Sequence, residues 1–378
     1  MMTPEMQKLR QERWDRLEIA LQGGRPKDRL PVEMQGYIPA ARIADPELVP
    51  YDIIERPRYF LDKTFEGYAA LKDIDVVNAL GGYSRASGIA MMTTAKLPGI
   101  DLPKTEIYQI DEKARMNYED YQTILDEGWT KFKNDYLSER VGLTPEDLGA
   151  NRPWTQMVNE YLDRDGFFMF SSVPHPSGWD ALSAMRGINH FFRDLRKNKQ
   201  LIKDVLAEMC RADWDNYLVM LKHNAEIKGS FACMVQPAVR ANCDFVSRAV
   251  YEEMVWPYVQ KFAYAVIESG NHVHFHYDSR WDDFLDLYTD FPVHTCVFDS
   301  DGLTDINLVK KYLGGRMAIT GNNPPAMMVL GTPDEVYDFT VKQINEIGPE
   351  GYIVTTSCTC PANCNTENLK AMVAAARA

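Results

Sequence analysis

Eight short apolar segments, each bounded by turn residues, recur along this chain, and helical patterns separate most of them. Short runs of this kind predict buried strands, and their alternation with helices predicts a parallel sheet. About eight such units favour a closed barrel over an open sheet. The sequence therefore predicts an α/β fold, a (β/α)8 TIM barrel. The predicted strands span residues 32–37, 75–80, 167–171, 231–236, 272–276, 295–298, 317–320 and 352–355.

A length of 378 residues suits a single barrel domain with additions. Residues 1–24 predict an N-terminal helical extension, because an amphipathic helix begins at Thr3 and Pro4 and ends at Gly23 and Gly24. The section from about 107 to 162 is rich in charged and aromatic residues and predicts a helical insertion. We therefore interpret residues 1–378 as one TIM-barrel domain that carries these two additions.

The composition of the chain argues against nucleic acids and membranes as its partners. The net charge of −13 argues against nucleic-acid binding, since phosphate neutralisation needs clustered Lys and Arg. The chain has no apolar run of eighteen residues, which argues against a membrane span, and its first residues lack the apolar core of a signal peptide. We expect a cytoplasmic protein whose partners are small molecules or another protein, and a homodimer is compatible with the sequence. The seven cysteines predict reduced thiols rather than a disulfide framework.

A row of side chains that commonly bind metal ions occupies the fifth predicted strand. His272, His274, His276 and Asp278 alternate along it, so they are expected to project to one face. Cys358 lies far along the chain but also follows a predicted strand. Imidazole, carboxylate and thiolate together form a typical ligand set for zinc. The alternative is that the histidines line a polar cleft or a solvated sheet edge without a metal.

In TIM barrels the chemistry lies at the carboxyl ends of the strands, where the loops converge. His276, Asp278, Asp299, Asn322 and Cys358 all fall at or just after predicted strand ends. This agreement favours the metal interpretation. Asp299 and Asn322 are our candidate catalytic residues, because an acid could take a proton and either residue could hold the substrate.

Several segments carry a resemblance to the uroporphyrinogen decarboxylase superfamily, and within it to the zinc-containing, corrinoid-linked methyltransferases. The resemblance is densest in the C-terminal third and weaker towards the N-terminus, and it does not cover the 107–162 insertion. The segments that carry it are His276-Tyr277-Asp278, residues 321–324 (GNNP), residues 331–336 (GTPDEV), Cys358, and residues 367–372 (ENLKAM).

The resemblance implies zinc held by a His, a Cys two residues later and a Cys near the end of the barrel. Carried over without gaps, these positions are His276, Asp278 and Cys358. Asp278 departs from the pattern, because it offers oxygen where the methyltransferases offer sulfur. A register shifted by two residues would give His274, His276 and Cys358, so His274 is the second choice of ligand.

The decarboxylase branch resembles this chain less well. Its members use an early segment with two Arg to hold substrate carboxylates, whereas residues 33–39 here read EMQGYIP, and no Arg follows this segment until Arg42. Several carboxylates cannot be buried without cations. Decarboxylation by a related lyase therefore stays an alternative only.

The resemblance implies a zinc-dependent methyltransferase that moves a methyl group between a small substrate and a corrinoid. No Asp-x-His-x-x-Gly motif for corrinoid binding occurs in the chain, so the corrinoid is expected on a partner protein. An oxygen ligand at Asp278 favours an O-methyl donor such as a methoxylated aromatic compound, and methylation of a thiol resembling coenzyme M is the alternative. Tyr37, His175 and Trp179 are our candidate substrate-binding residues.

Overall fold

The computed structural model describes residues 2–78, 80–172, 178–227, 229–235 and 239–378. The strands, numbered in chain order, are β1 Glu33–Gln35, β2 Val76–Asn78, β3 Ala95–Lys96, β4 Gln109–Ile110, β5 Phe168–Ser172, β6 Ser230–Val235, β7 His272–Tyr277, β8 Cys296–Ser300, β9 Ala318–Asn323 and β10 Tyr352–Thr356. Strands β3 and β4 form a small antiparallel hairpin. The other eight are parallel neighbours in the order β1-β2-β5-β6-β7-β8-β9-β10.

A bridge between the first and last strands completes the ring. Val32 pairs with Val354 in parallel, and the backbone N–H of Val354 donates to the carbonyl of Pro31 at 2.9 Å. Eight parallel strands with helices around them form an α/β barrel, as the spacing of the apolar segments predicts. Each of the eight predicted strands coincides with a barrel strand to within a few residues.

Helices connect the strands and cover the outside of the barrel. The helices are α1 Pro4–Leu21, α2 Ile38–Ala44, α3 Asp52–Glu55, α4 Pro57–Leu71, α5 Asp120–Glu127, α6 Trp129–Asp135, α7 Pro145–Gly149, α8 Arg152–Asp165, α9 Trp179–Arg186, α10 Ile188–Lys197, α11 Lys199–Asn224, α12 Arg248–Met254, α13 Trp256–Glu268, α14 Ile306–Leu313, α15 Pro325–Leu330, α16 Pro333–Ile347 and α17 Thr366–Ala375. In the described residues, no helix is both long and apolar enough to cross a bilayer.

Local sequence signals explain where the best-defined helices begin. Thr332 caps α16 and forms a capping box with Glu335, while Pro333 occupies the first turn. At the other end of α16, Gly348 adopts a φ of 97°, a value that side chains disfavour. Thr3 likewise accepts a hydrogen bond from the backbone N–H of Met6 at the start of α1.

Helix α1 packs against the amino end of the barrel. Its residues Leu17, Ala20 and Leu21 join the apolar layer inside the barrel, which includes Val297 and Ile353. Burial of this apolar layer stabilises the closed ring at its amino end. The polar side chains of the interior therefore lie above it, towards the carboxyl ends of the strands.

The long connection between β2 and β5 contains the hairpin and helices α5 to α8. Trp154 of α8 returns to the barrel, where its indole N–H donates to the carbonyl of Leu80 at 2.7 Å. This connection includes the section for which we predict an insertion, and it places Tyr108, Thr155 and Val158 beside the mouth cavity described below.

Candidate metal centre

Three side chains that could bind a metal ion meet at the mouth of the barrel. His276 lies near the end of β7, Asp278 follows that strand, and Cys358 lies two residues beyond β10. Their ligand atoms all lie within 4.8 Å of one another. Nε2 of His276 is 3.6 Å from Oδ1 of Asp278 and 3.8 Å from Sγ of Cys358. Closure of the barrel therefore brings together residues that are about eighty positions apart in the chain.

These separations suit a zinc ion. Ligands about 2.0 to 2.3 Å from zinc at tetrahedral angles stand about 3.3 to 3.6 Å apart. The distances from Nε2 of His276 are 3.6 and 3.8 Å, so small side-chain movements would place nitrogen, oxygen and sulfur around one ion. Side-chain exposures of 6% for His276 and 31% for Asp278 put the cluster at the boundary between core and mouth. A fourth position could then face a substrate.

A buried carboxylate orients the histidine. Asp299 on β8 is directly paired with His276 on β7, and its Oδ2 accepts a hydrogen bond from Nδ1 of His276 at 2.5 Å. Gln35 on β1 donates to the same oxygen through Nε2 at 2.7 Å. Since Nδ1 is engaged, Nε2 of His276 is the nitrogen that faces Asp278 and Cys358. Carboxylate partners of this kind fix the tautomer and orientation of metal-binding histidines.

When no metal is bound, the electrostatic attraction between His276 and Asp299 favours the charged form of both side chains. Burial alone would lower the pKa of His276, but the attraction and hydrogen bond of Asp299 outweigh it and raise the pKa well above its usual value. Burial alone would raise the pKa of Asp299, yet His276 and a weaker interaction with His274 lower it. The carboxylate of Asp299 is therefore ionised at neutral pH and attracts positive charge towards the ring of His276.

A second carboxyl group lies deeper in the barrel. Glu33 on β1 is fully buried and accepts a hydrogen bond from Nδ2 of Asn78 at 3.0 Å. Burial raises its pKa well above the ordinary value, and the nearby negative charge of Asp299 raises it further. The raised pKa favours the neutral form of Glu33, which would add no second negative charge beneath the cluster.

His274, the alternative ligand, is fully buried and does not line the mouth cavity as His276 does. The ring of His274 stacks on Phe170 with centroids 4.1 Å apart. Nε2 of His274 is 3.5 Å from Oδ2 of Asp299, and His274 is not among the residues whose ligand atoms meet at the mouth. The geometry therefore favours His276, Asp278 and Cys358 over the register shifted by two residues. The strand places alternate residues on one face, but only its last histidine reaches the mouth.

A large cavity opens beside His276. Its volume is about 780 Å³, within the range of small-molecule sites. Tyr37, Tyr83 and Tyr108 line it together with Gln35, and the loop 359–362 forms another wall. The candidate substrate-binding residue Tyr37 thus lies in the cavity wall, with its hydroxyl donating to the carbonyl of Gly81.

Trp179, predicted to bind substrate, packs in the core instead. It is fully buried, its ring meets Phe191 edge-on at 5.1 Å, and its indole N–H donates to the carbonyl of Arg240 at 3.0 Å. Trp179 does not line the cavity beside His276, so the structure does not bring this predicted substrate-binding residue to the candidate site. His175 lies outside the described residues.

The two predicted catalytic residues also differ from expectation. Asp299 is fully buried beneath His276 and does not line the cavity, so it is a positioning residue rather than one that touches substrate. Asn322 lines a separate pocket of about 420 Å³ with Asp301 and Gly302, and it does not line the cavity beside His276. The structure thus gives neither residue direct access to a substrate bound there.

Sequence reasoning missed the role of Gln35. Its signal was weak, because a single glutamine before Gly36 at the end of a three-residue strand has no characteristic pattern. Only the ring of strands brings Gln35 on β1 to Asp299 on β8. Tyr108 was missed for a similar reason, since it precedes a two-residue strand of the hairpin.

The fold and the mouth cluster together define a TIM barrel with a candidate metal centre at its carboxyl face. The family model for uroporphyrinogen decarboxylase (URO-D) matches residues 175–378, and the chain belongs to this family. A solved structure of a methyltransferase from Methanosarcina mazei is similar over 96% of this chain and 97% of that chain, with a TM-score of 0.67 and 16% sequence identity. At that identity the likeness shows a shared fold. No curated protein matches the sequence.

Proposed function

We propose that this protein is a zinc-dependent methyltransferase that moves a methyl group between a small O-methyl donor and a corrinoid carried by a separate protein. The observation that carries the proposal is the cluster of His276, Asp278 and Cys358 beside a large cavity. The similarity in fold to a protein described as a methyltransferase supports it.

The ligand set favours an oxygen substrate. Bound zinc would supply Lewis acidity to a substrate oxygen or lower the pKa of a substrate thiol. Two thiolate ligands would donate more electron density to the ion than one thiolate with a carboxylate. Asp278 therefore favours Lewis acidity and an O-methyl donor over methylation of a thiol.

The protein's own residues would position the reaction. Asp299 and Gln35 hold the ring of His276, so the ligand needs little reorganisation when the metal binds. The cavity walls exclude water from one side of the cluster and orient the methyl donor, with its ether oxygen towards His276 and Asp278. Orientation of this kind makes a large contribution to catalysis when two reactants must meet.

Decarboxylation of a polycarboxylated substrate is poorly supported. The described cavity lining contains no Lys or Arg. Arg42, the first Arg after the early segment, donates to the carbonyl of Ala362 at 3.1 Å. Buried carboxylates would therefore lack counter-charges.

Apolar side chains around the mouth support docking of a partner. Leu303 follows β8 and is 66% exposed, and Leu330 ends α15 after β9 and is 84% exposed. Ile107 lines the cavity and is also exposed. A corrinoid-binding protein that covers these residues would bring its cofactor to the cavity beside His276.

The proposal is tested by zinc content and methyl transfer. Purified protein should contain one zinc per chain by elemental analysis, and His276→Ala and Cys358→Ala should lose most of it. The wild-type protein should transfer the methyl group of 2-methoxyphenol to free cob(I)alamin, so that the O–CH3 bond breaks, methylcobalamin forms and the departing phenolate oxygen takes a proton from water. The absorbance change at cobalt follows the reaction. The exposed variant His223→Ala is the matched control and should retain both properties. Full zinc retention in both cluster variants would refute the site.

A further inference from the structure

The cavity beside His276 has an uncharged wall. Among the lining residues that the structure describes, none is Lys, Arg, Asp or Glu. Apolar and aromatic side chains provide most of the surface, including Ile107, Ile110 and Phe170. Apart from His276 and a zinc ion that it would hold, the described lining therefore offers no ion-pair partner to a charged group on a ligand.

Three polar groups in this wall are already bonded within the protein. Nε2 of Gln35 donates to Asp299 at 2.7 Å, and Oγ of Ser171 donates to the carbonyl of Ala232 at 2.9 Å. The hydroxyl of Tyr37 donates to the carbonyl of Gly81. A carboxylate buried against these groups would lose its water without gaining equivalent donors, which disfavours its binding.

The two carboxylates near the cluster add no cation to this wall. Asp299 lies behind Gln35 and His276 and is paired with His276, and Asp278 stands at the rim of the cluster. The cavity therefore disfavours benzoates relative to uncharged rings of the same shape.

Two tyrosines build a wall suited to a flat ring. Tyr83, which follows β2, and Tyr108, which precedes β4, meet edge to face with centroids 4.8 Å apart and an interplanar angle of 71°. Burial raises the pKa of both hydroxyls, so both rings stay neutral. An aromatic ligand placed beside them gains the favourable geometry of aromatic pairs.

We propose that the cavity takes an uncharged methoxylated ring, that it rejects the carboxylated counterpart, and that Tyr108 is a specificity-determining residue. The inference rests on the proposed function and names its substrate class. Tyr108 belongs to the connection between β2 and β5, so that connection contributes to the choice of ligand as well as to the fold.

Binding at pH 7 tests the charge preference directly. Calorimetric titration of the zinc-loaded protein with 2-methoxyphenol and with 4-hydroxy-3-methoxybenzoate should give at least about tenfold tighter binding of the uncharged ring, as expected for an unpaired buried charge. Equal or tighter binding of the benzoate, or binding of neither compound, would overturn the inference.

Substitutions at the exposed Ile107 supply a gain-of-function test. Ile107→Arg should raise the affinity for the benzoate and reduce the preference for 2-methoxyphenol, because it adds the missing counter-charge. Ile107→Gln, of similar length without the charge, is the matched control and should retain the wild-type preference. An unchanged preference in Ile107→Arg would count against the proposal.

The role of Tyr108 in ligand specificity is tested with substitutions that change the shape of its side chain and not its charge. Tyr108→Leu should weaken binding of 2-methoxyphenol by about threefold to tenfold, the effect expected for losing an aromatic pair. Tyr108→Phe retains the ring and should bind nearly as well as the wild type. Equal losses in both variants would show that the ring is not the determinant.

Binding and methyl transfer separate this inference from the proposed function. Tight, selective binding of 2-methoxyphenol without transfer to cob(I)alamin would support the uncharged cavity and refute the methyltransferase proposal. Transfer from 4-hydroxy-3-methoxybenzoate at the same efficiency as from 2-methoxyphenol would support the methyltransferase and refute the charge preference.

Discussion

Nδ1 of His276 lies 2.5 Å from Oδ2 of Asp299, and the two residues are direct neighbours on adjacent parallel strands. This register turns Nε2 of His276 towards Asp278 and Cys358. The candidate metal centre therefore depends on a carboxylate that does not bind the metal itself.

Asp299→Asn should weaken zinc binding by about tenfold to a hundredfold, since the loss of a carboxylate partner weakens a histidine ligand by that amount. Competition with a chromogenic chelator measures the affinity. Asp338→Asn, at an exposed position on α16, is the control and should bind zinc as the wild type does. An affinity for zinc that is unchanged in Asp299→Asn would argue against the positioning role.

Asp278→Cys should retain zinc but shift the preferred reaction. A second thiolate makes zinc a weaker Lewis acid, so transfer from 2-methoxyphenol to cob(I)alamin should fall. Transfer from methylcobalamin to 2-mercaptoethanesulfonate should rise. Asp278→Asn retains an oxygen ligand and serves as the control. If both rates changed in the same proportion, the ligand type would not determine the substrate.

Leu330→Glu should slow methyl exchange with a corrinoid protein by about tenfold, the effect of losing a modest apolar contact at an interface. The rate with free cobalamin should not change, because Leu330 does not line the cavity. Val293→Glu is the matched control, because Val293 is also exposed but precedes β8 at the opposite end of the barrel. Equal effects of the two variants would exclude docking at the mouth.

Asp120 should stabilise the connection between β2 and β5 in a pH-dependent way. Burial would raise its pKa, but hydrogen bonds from Arg140 at 2.6 and 2.8 Å and from the backbone of Asn117 outweigh burial and lower it. A carboxyl group with a lowered folded-state pKa stabilises the protein above its unfolded pKa of about 3.9 and loses that contribution as the pH falls through the folded value.

Asp120→Asn should therefore lower the free energy of unfolding by about 1 to 2 kcal/mol at neutral pH, as expected for hydrogen bonds to a charged group. The difference from the wild type should stay constant from pH 8 to 5 and narrow below about pH 4. Urea unfolding at several pH values measures it. Asp135→Asn removes only a surface pair with Lys131 and should change stability by less than about 0.5 kcal/mol. A difference that grew on acidification would contradict the assignment.

The strands and the clearest helices follow from local patterns. Apolar runs of four to six residues predict the eight barrel strands because buried parallel strands need apolar side chains on both faces. The start of α16 is equally local, since Thr332 and Glu335 satisfy each other's backbone N–H groups within one turn. Such signals require no knowledge of the remaining chain.

Local patterns were less reliable for individual side chains. An aromatic residue such as Trp179 looks the same in sequence whether it lines a cavity or packs beneath a helix. His274 and His276 share a strand face; the strand end favours His276 at the mouth, but the sequence left His274 as a second choice. Depth along a barrel strand depends on its register with its neighbours, which is a tertiary property.

The sequence by itself determined the barrel, the position of polar residues at its strand ends, and the candidate ligands His276, Asp278 and Cys358. Periodicity and turn chemistry act over a few residues, so they can be interpreted along one chain. Only the tertiary structure decided that Gln35 and Asp299 hold His276, that His274 is fully buried, and that the described lining of the mouth cavity contains no Lys, Arg, Asp or Glu. Closure of the ring brings together strands that are far apart in the sequence, and no local sequence pattern specifies the contacts between them.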